Sequence, residues 1–196
     1  MRILKPGLQT TVQAGPRQGM RHLGVPASGA ADPLSLALAN RLVGNRLLAP
    51  ALETTLTGVA MRFEEDTVVA ITGARAKAWL NGGRVKLHRG ITVSAGDELE
   101  IGGAKAGARN YLALAGGIVV DDVLGSVSTY LPAGIGGHEG RALRTDDLIA
   151  TNPERNAPDI TKTPKEYRPL ASTSWALRAC YGAEIELLEK DSRFDL

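Results

Sequence analysis

Between Glu53 and Ala150 the chain is cut into brief segments by turn residues, and this punctuation limits the possible fold more than any other feature. TVVAIT (67–72), Ala76–Leu80, Arg84–Leu87, Asp97–Ile101 and Arg109–Ala115 are each short and rich in branched or alternating side chains. Asn81-Gly82-Gly83 suits a hairpin, because Asn and Gly accept positive φ, and Ala95-Gly96-Asp97 and Gly102-Gly103 are further turns. Strands spaced at roughly 8–12 residues with turn signals between them indicate a sandwich or barrel. Long helices do not alternate with these strands, which argues against a doubly wound sheet. The fold class expected is mainly β.

One helix stands out. Asp32 suits the N-cap and Pro33 the first helical position, where a missing N–H costs nothing. Leu34, Leu38 and Leu42 recur every four residues as one apolar stripe, and Gly44-Asn45 is a good stop. A single prominent helix near residues 33–43 is therefore predicted. Residues 151–174 carry Pro153, Pro158, Pro164 and Pro169 among polar residues and read as a linker. A strand-like segment at Trp175–Cys180 and a charged, helix-compatible one at Glu184–Lys190 follow. These last 22 residues are too few for a core of their own. The organisation expected is a barrel domain at 1–150, a linker at 151–174, and the start of an incomplete second domain at 175–196.

Composition excludes several functions. With 43% hydrophobic and 22% charged residues, 196 residues can bury a sizeable core. No apolar run approaches the ~18 residues of a membrane span, and the opening MRILKPGLQTT lacks the apolar centre of a secretory signal. A cytoplasmic protein is expected. The lone Cys180 leaves no disulfide framework or Cys-rich zinc site within one chain, and reads as a buried or incidental thiol. The net charge is only +2, but residues 1–62 hold seven Lys/Arg against Asp32 and Glu53. Dense basic runs with interleaved aromatics are missing, so these residues are either contacts for a small anionic ligand, which fits better than nucleic acid, or solvated surface cations.

Candidate site residues are few. His22, His88 and His138 lack a second histidine at metal-ligand spacing, and His88, in a basic strand end, is expected to be exposed. His22 lies ten residues before Asp32, and a His with a carboxylate can do acid–base work. Asp32 is either a helix cap alone or a site carboxylate, following Ser28-Gly29-Ala30 at a helix N-terminus that favours anions. Ser126, Ser128 and Thr129 are either turn hydroxyls bonding the backbone or ligand contacts. The glycine loop Gly134–Gly140 is either a tight connection or a ring of backbone N–H groups facing a ligand, with His138 within it.

These stretches together resemble a known family. GLQTTVQ (7–13), RHLGVPASGAADPLSLALANRLVGN (21–45), ALETTL (51–56), YLALAGGI (111–118), GSVSTYLPAGIGGHEGRAL (125–143) and Asp146-Asp147-Leu148 carry the likeness. It is to the biotin-dependent carboxyltransferases historically called allophanate hydrolase subunit 2. Members include the C-type subunit of 5-oxoprolinase, the Kip antagonist protein and part of the carboxyltransferase domain of urea carboxylase. The resemblance implies a cyclophilin-like β-barrel and a hydrolase acting on a cyclic amide. It implies ATP-dependent opening of 5-oxo-L-proline to L-glutamate by a complex, with the chain inactive alone. The implied partners are a subunit 1 family protein, like the B-type subunit of 5-oxoprolinase, and a lactam-utilisation-like protein, its A-type subunit. The ATP is used by the complex and no cofactor or metal is bound by this chain. The alternatives are carboxyl transfer to urea or a similar amide from biotin on a partner protein, and a Kip-type regulatory protein without catalysis. On the matched positions Asp32 would meet a substrate N–H and Arg21 its carbonyl or carboxylate. Ser28, Asn40 and Asn45 would shape the site, with His22, Ser126 and Thr129 as further substrate contacts. Two departures stand out. Ala14 replaces a usual acid, and family members continue well past residue 196.

Overall fold

A computed structural model describes residues 1–152, 162–169, 172, 174, 176, 178, 180 and 182–187. Ten strands form in the order β1 (Arg2–Lys5), β2 (Thr10–Gln13), β3 (Ala51–Thr55), β4 (Ala60–Arg62), β5 (Thr67–Arg75), β6 (Ala78–Leu80), β7 (Gly83–Val85), β8 (Gly90–Val93), β9 (Glu98–Ile101) and β10 (Ala106–Leu114). The helix α1 (Pro33–Leu42) lies between β2 and β3. The strands pair antiparallel in two five-stranded sheets, β1-β4-β9-β6-β7 and β2-β3-β10-β5-β8. The mainly β expectation with one prominent helix is met.

Strand alternation explains how the layers stack. Ile3, Met61, Ala78, Leu99 and Ile101 of the first sheet meet Val12, Leu52, Val69, Ile71, Leu112 and Leu114 of the second in one buried core. The intervening residues of the second sheet face the other way. Ala51, Val68, Ala70, Tyr111 and Ala113 pack against Leu36, Ala39, Leu42 and Val43. The second sheet is thus buried on both faces, so β5 is buried along nearly its whole length and β10 from Asn110 to Leu114. Late residues stitch the edges of the two sheets. The Ile3 N–H donates to the Asp147 carbonyl at 2.9 Å, and the Leu143 N–H to that of Thr10 at 2.8 Å.

The stripe forecast for α1 needs correction. Leu38 and Leu42 are buried as expected but Leu34 is exposed, and the face against the sheet is Ser35, Leu36, Ala39 and Leu42. An alternative period within the same leucine-rich run wins because it sets small Ala39 over the sheet, allowing close approach. Asp32 caps the helix as expected, its Oδ1 accepting the Ser35 N–H at 3.0 Å.

Residues 162–169 lie against the barrel. The Thr163 N–H donates to the His88 carbonyl at 3.0 Å, and Arg89 forms an antiparallel bridge with Lys162. This contact overturns the expected exposure of His88, which is 7% exposed at φ 59. Burial, reinforced by Arg168, lowers its pKa from 6.5 to about 4. The unfolded chain therefore binds this proton more readily than the fold, so stability rises with pH between about 4 and 6.5. Acidification through that window should lower the melting temperature more in the native protein than in a His88→Gln variant. Thermal melts at pH 7 and pH 4.5 measure the difference.

Cys180, expected to be a buried or incidental thiol, is exposed. Ala183–Leu187 forms a short 3-10 helix. Residues 153–161, half of the strand-like Trp175–Cys180 segment and 188–196 lie outside the described residues.

Candidate functional site

The outer face of the second sheet carries a polar row. Thr11, Glu53, Tyr111 and Thr72 are successive cross-strand neighbours on β2, β3, β10 and β5. All four point toward α1 and the turn preceding it. The row fastens the helix start in three places. Glu53 Oε2 accepts the Ala31 N–H at 2.9 Å, Tyr111 Oη accepts the Asp32 N–H at 2.7 Å, and Thr72 Oγ1 donates to the Ser35 carbonyl at 2.6 Å. Tyr111 Oη in turn donates to Glu53 Oε2 at 2.6 Å. Burial, followed by the Glu53 hydrogen bond, pushes the Tyr111 phenol far above its ordinary range, so it stays a donor. Arg109 Nε lies 3.6 Å from Glu53 Oε1 and supplies the charge partner.

This chain of bonds fixes Asp32. Its carboxylate accepts from Ser35 twice, at Oδ1 from the N–H and at Oδ2 from the hydroxyl at 2.5 Å. The carboxylate is half-buried, and each oxygen retains a lone pair beyond its Ser35 bond. The arrangement can accept an N–H from a ligand without surrendering the cap.

Beside it sits a second polar layer. Ser28, held at φ 54, donates through Oγ to the Thr129 carbonyl at 2.8 Å. Gln13 Nε2 reaches the same carbonyl at 3.2 Å and Thr11 Oγ1 at 3.1 Å, while its Oε1 is buried with no partner among the described residues. Behind them lies Arg17, 1% exposed. Its Nε donates to the Val123 carbonyl at 2.8 Å, and one Nη to those of Ser126 and Ser128 at 3.2 and 3.1 Å.

The structure sorts the residues singled out in the sequence. Asp32, Ser28 and Thr129 come together around the helix start. The hydroxyls of Ser126 and Thr129 bond the Gly15 and Val12 carbonyls, both at 2.8 Å, in turn and bridging roles. Arg21 and His22 are exposed on a 3-10 turn, Arg21–Leu23, with no hydrogen bond or ion pair to Asp32. Asn40 and Asn45 lie at the other end of α1, away from Asp32, and their amides are committed to structure. Asn40 Nδ2 bonds the Ala49 carbonyl at 2.9 Å, and Asn45 bonds Asn40 Oδ1 and the Leu114 carbonyl at 3.0 and 2.7 Å. The glycine loop is a close-packed connection. A Cβ on Gly136 would collide with the Ser128 carbonyl, and one on Gly137 with Thr129 Oγ1. Its His138 sits 3.6 Å from Asp147, a residue claimed by a two-pronged bond from Arg141 at 2.7 and 2.9 Å. Ala14 is buried, and its N–H donates to Ser128 Oγ at 2.9 Å.

Sequence reasoning missed Gln13, Arg17, Glu53, Arg109 and Tyr111. Glu53 had a usable signal, as a carboxylate in the middle of an otherwise uncharged strand, ALETT. Among the described residues no three His, Cys, Asp or Glu side chains gather as a metal site would require.

The chain is similar to several known proteins. The chain is 45% identical over 149 residues to the C-type subunit of 5-oxoprolinase of Escherichia coli, covering 76% of the chain and 48% of that protein. It is 44% identical over 151 residues to urea amidolyase of Lachancea kluyveri, covering 76% of the chain but 8% of that protein. The crystal structure of K. lactis urea amidolyase superposes with a TM-score of 0.82 at 38% identity, over 88% of the chain and 11% of that structure. The chain thus spans about half the length of the first relative and a small part of the others. The family described as "Carboxyltransferase domain, subdomain A and B" matches residues 23–196, and the chain belongs to that family.

Proposed function

We propose that this chain works as the C-type component of an ATP-dependent 5-oxoprolinase, a hydrolase complex that opens 5-oxo-L-proline to L-glutamate. The observation that carries this reading is the 45% identity to the C-type subunit of the Escherichia coli enzyme, at a coverage of that relative far above the coverage of urea amidolyase. On this reading residues 1–150 form the first barrel, 151–174 a linker and 175–196 the opening of a second domain. The partners are a protein like the B-type subunit of 5-oxoprolinase and a lactam-utilisation-like A-type protein, which act with it in the cytoplasm. Among the described residues no helix is long and apolar enough to cross a membrane.

The residues fit a cyclic amide. The Asp32 carboxylate accepts the lactam N–H, an interaction that orients the ring. Arg21, exposed and without an ion pair among the described residues, meets the substrate carboxylate or carbonyl oxygen. Glu53 and Tyr111 do not touch substrate; they hold the backbone that carries Asp32. ATP supplies the free energy that lactam opening requires and is consumed by the assembled complex.

Carboxyl transfer from a biotin-bearing partner to urea is the second reading, favoured by the superposition on urea amidolyase. Both substrates present an N–C=O group, so one carboxylate and one cation suit either. The protein is mixed with its A-type and B-type partners, and glutamate is assayed with 5-oxoproline and ATP. Glutamate release that needs all three proteins supports the lactam reading. Carboxylation of urea with a biotinylated carrier, and no glutamate, replaces it with the second. Tight association with the B-type protein and no turnover in either assay leaves a Kip-type regulator.

A further inference from the structure

A second feature lies away from Asp32. A groove of about 840 Å³ runs between the end of β5, the β6–β7 hairpin and the covering segment 162–169. Seven cationic side chains line it: Arg75, Lys77, Arg84, Lys86, Arg89 and, from the covering segment, Lys165 and Arg168. Among the described residues no carboxylate lines it and none of the seven forms an ion pair. The whole chain carries a net charge of only +2, so the rest of the molecule is net negative and this groove is a concentrated exception.

Converging like charges oppose folding unless an anion relieves them. The fold nonetheless holds them together. Val85 and Leu87 pack against the core, which turns the alternate residues Arg84 and Lys86 outward along one face. Arg168 is pinned by two bonds to the Thr163 carbonyl, at 3.0 and 2.8 Å. Beneath them His88 Nδ1 and Thr163 Oγ1 are buried, with no partner among the described residues.

The lining also says what kind of anion fits. Among the described residues it holds no Trp, Tyr or Phe. Single-stranded nucleic acid and nucleobases are gripped by aromatic stacking, and protein interfaces are anchored by buried aromatics. Four arginines and three lysines with no aromatic platform suit a compact ligand recognised by charge and oxygen geometry alone. We propose that this groove binds a multiply charged phosphate ligand, a polyphosphate chain or the phosphate tail of a nucleotide, through Arg75, Arg84, Lys86 and Arg168. The proposal stands independently of the 5-oxoprolinase reading.

Titration calorimetry with tripolyphosphate, ATP, citrate and a short polyglutamate decides it. Tripolyphosphate should bind, and a doubled charge reversal, Arg84→Glu with Lys86→Glu, should weaken it at least tenfold. Both side chains point outward, so circular dichroism should show the variant folded. Reversal of Arg46 and Arg144, exposed cations that do not line the groove, should leave affinity within twofold. ATP binding as tightly as tripolyphosphate identifies a nucleotide tail as the source; much weaker ATP binding identifies free polyphosphate. The proposal is overturned if tripolyphosphate does not bind, if the folded double variant binds it unchanged, or if polyglutamate or citrate binds more tightly.

Discussion

Replacing Arg17 with Met should cost about 3–5 kcal/mol of folding stability, since it removes three hydrogen bonds from a charged donor, each worth about 1.5–3 kcal/mol. The Ser128 carbonyl loses its donor, and those of Val123 and Ser126 are left only with each other's N–H, at 3.4 and 3.0 Å. The Ser128 carbonyl cannot turn to water, because Arg17 and Ser128 are buried and the glycine loop closes over Ser128. Arg17→Lys should recover little, since a point-like ammonium cannot span three acceptors as the planar guanidinium does. Urea denaturation of both variants measures this. A loss below about 1 kcal/mol for Met would mean that the 123–128 loop is held by something else. The variant should also disturb the Thr129 carbonyl, next in the chain, on which Ser28 and Gln13 converge.

Glu53→Leu should cause a loss of similar size, about 3–5 kcal/mol, because it strands the Ala31 N–H, the Tyr111 hydroxyl and the Arg109 charge together. Glu53→Gln keeps an acceptor in place and should cost less, about 1–2 kcal/mol. A double-mutant cycle with Tyr111→Phe separates the direct bond from the rest, with an expected coupling of about 1–3 kcal/mol. A coupling near zero would show that the two side chains are merely neighbours. Because Tyr111 and Glu53 hold the Ala31–Asp32 backbone, turnover of the assembled complex should fall more in these variants than their remaining folded fraction explains.

How far the sequence reveals this site depends on whether a residue's task is local. Asp32, Pro33 and the Gly44 stop act within a few positions of themselves, so the helix bounds were readable. Five of the short strands, β5, β6, β7, β9 and β10, were equally so, because turns announce themselves in Gly and Asn, while β3, β4 and β8 were not singled out. Tasks that join distant positions left no such mark. Glu53 meets Ala31 and Tyr111 only after β3 has paired with β10, and Arg17 reaches carbonyls more than a hundred residues away. Asn40 and Asn45, which the resemblance put at the site, have tasks of this kind, since their partners, Ala49 and Leu114, make them ties between the helix end, the segment after it and β10.

Charge shows the limit most clearly. Summed along the chain, the excess of positive charge lies in residues 1–62, and 63–101 comes out near neutral. Folding undoes that sum. Arg75, Lys77, Arg84, Lys86 and Arg89 gather in one groove, while Glu98 and Glu100 of the same stretch go elsewhere, Glu98 pairing with Arg62 at 2.5 Å. The covering residues 162–169, read as linker, then add Lys165 and Arg168 and bury His88.

The site's main assertion is that the Asp32 carboxylate, held by its cap and by Tyr111, meets the substrate N–H. Asp32→Asn isolates that role, since Asn caps a helix about as well as Asp and stability should barely change. Steady-state glutamate release by the complex assembled with this variant should fall about 100-fold, with an unchanged melting temperature. Turnover equal to the native complex, from a variant that assembles and melts normally, would contradict it and reduce Asp32 to a helix cap.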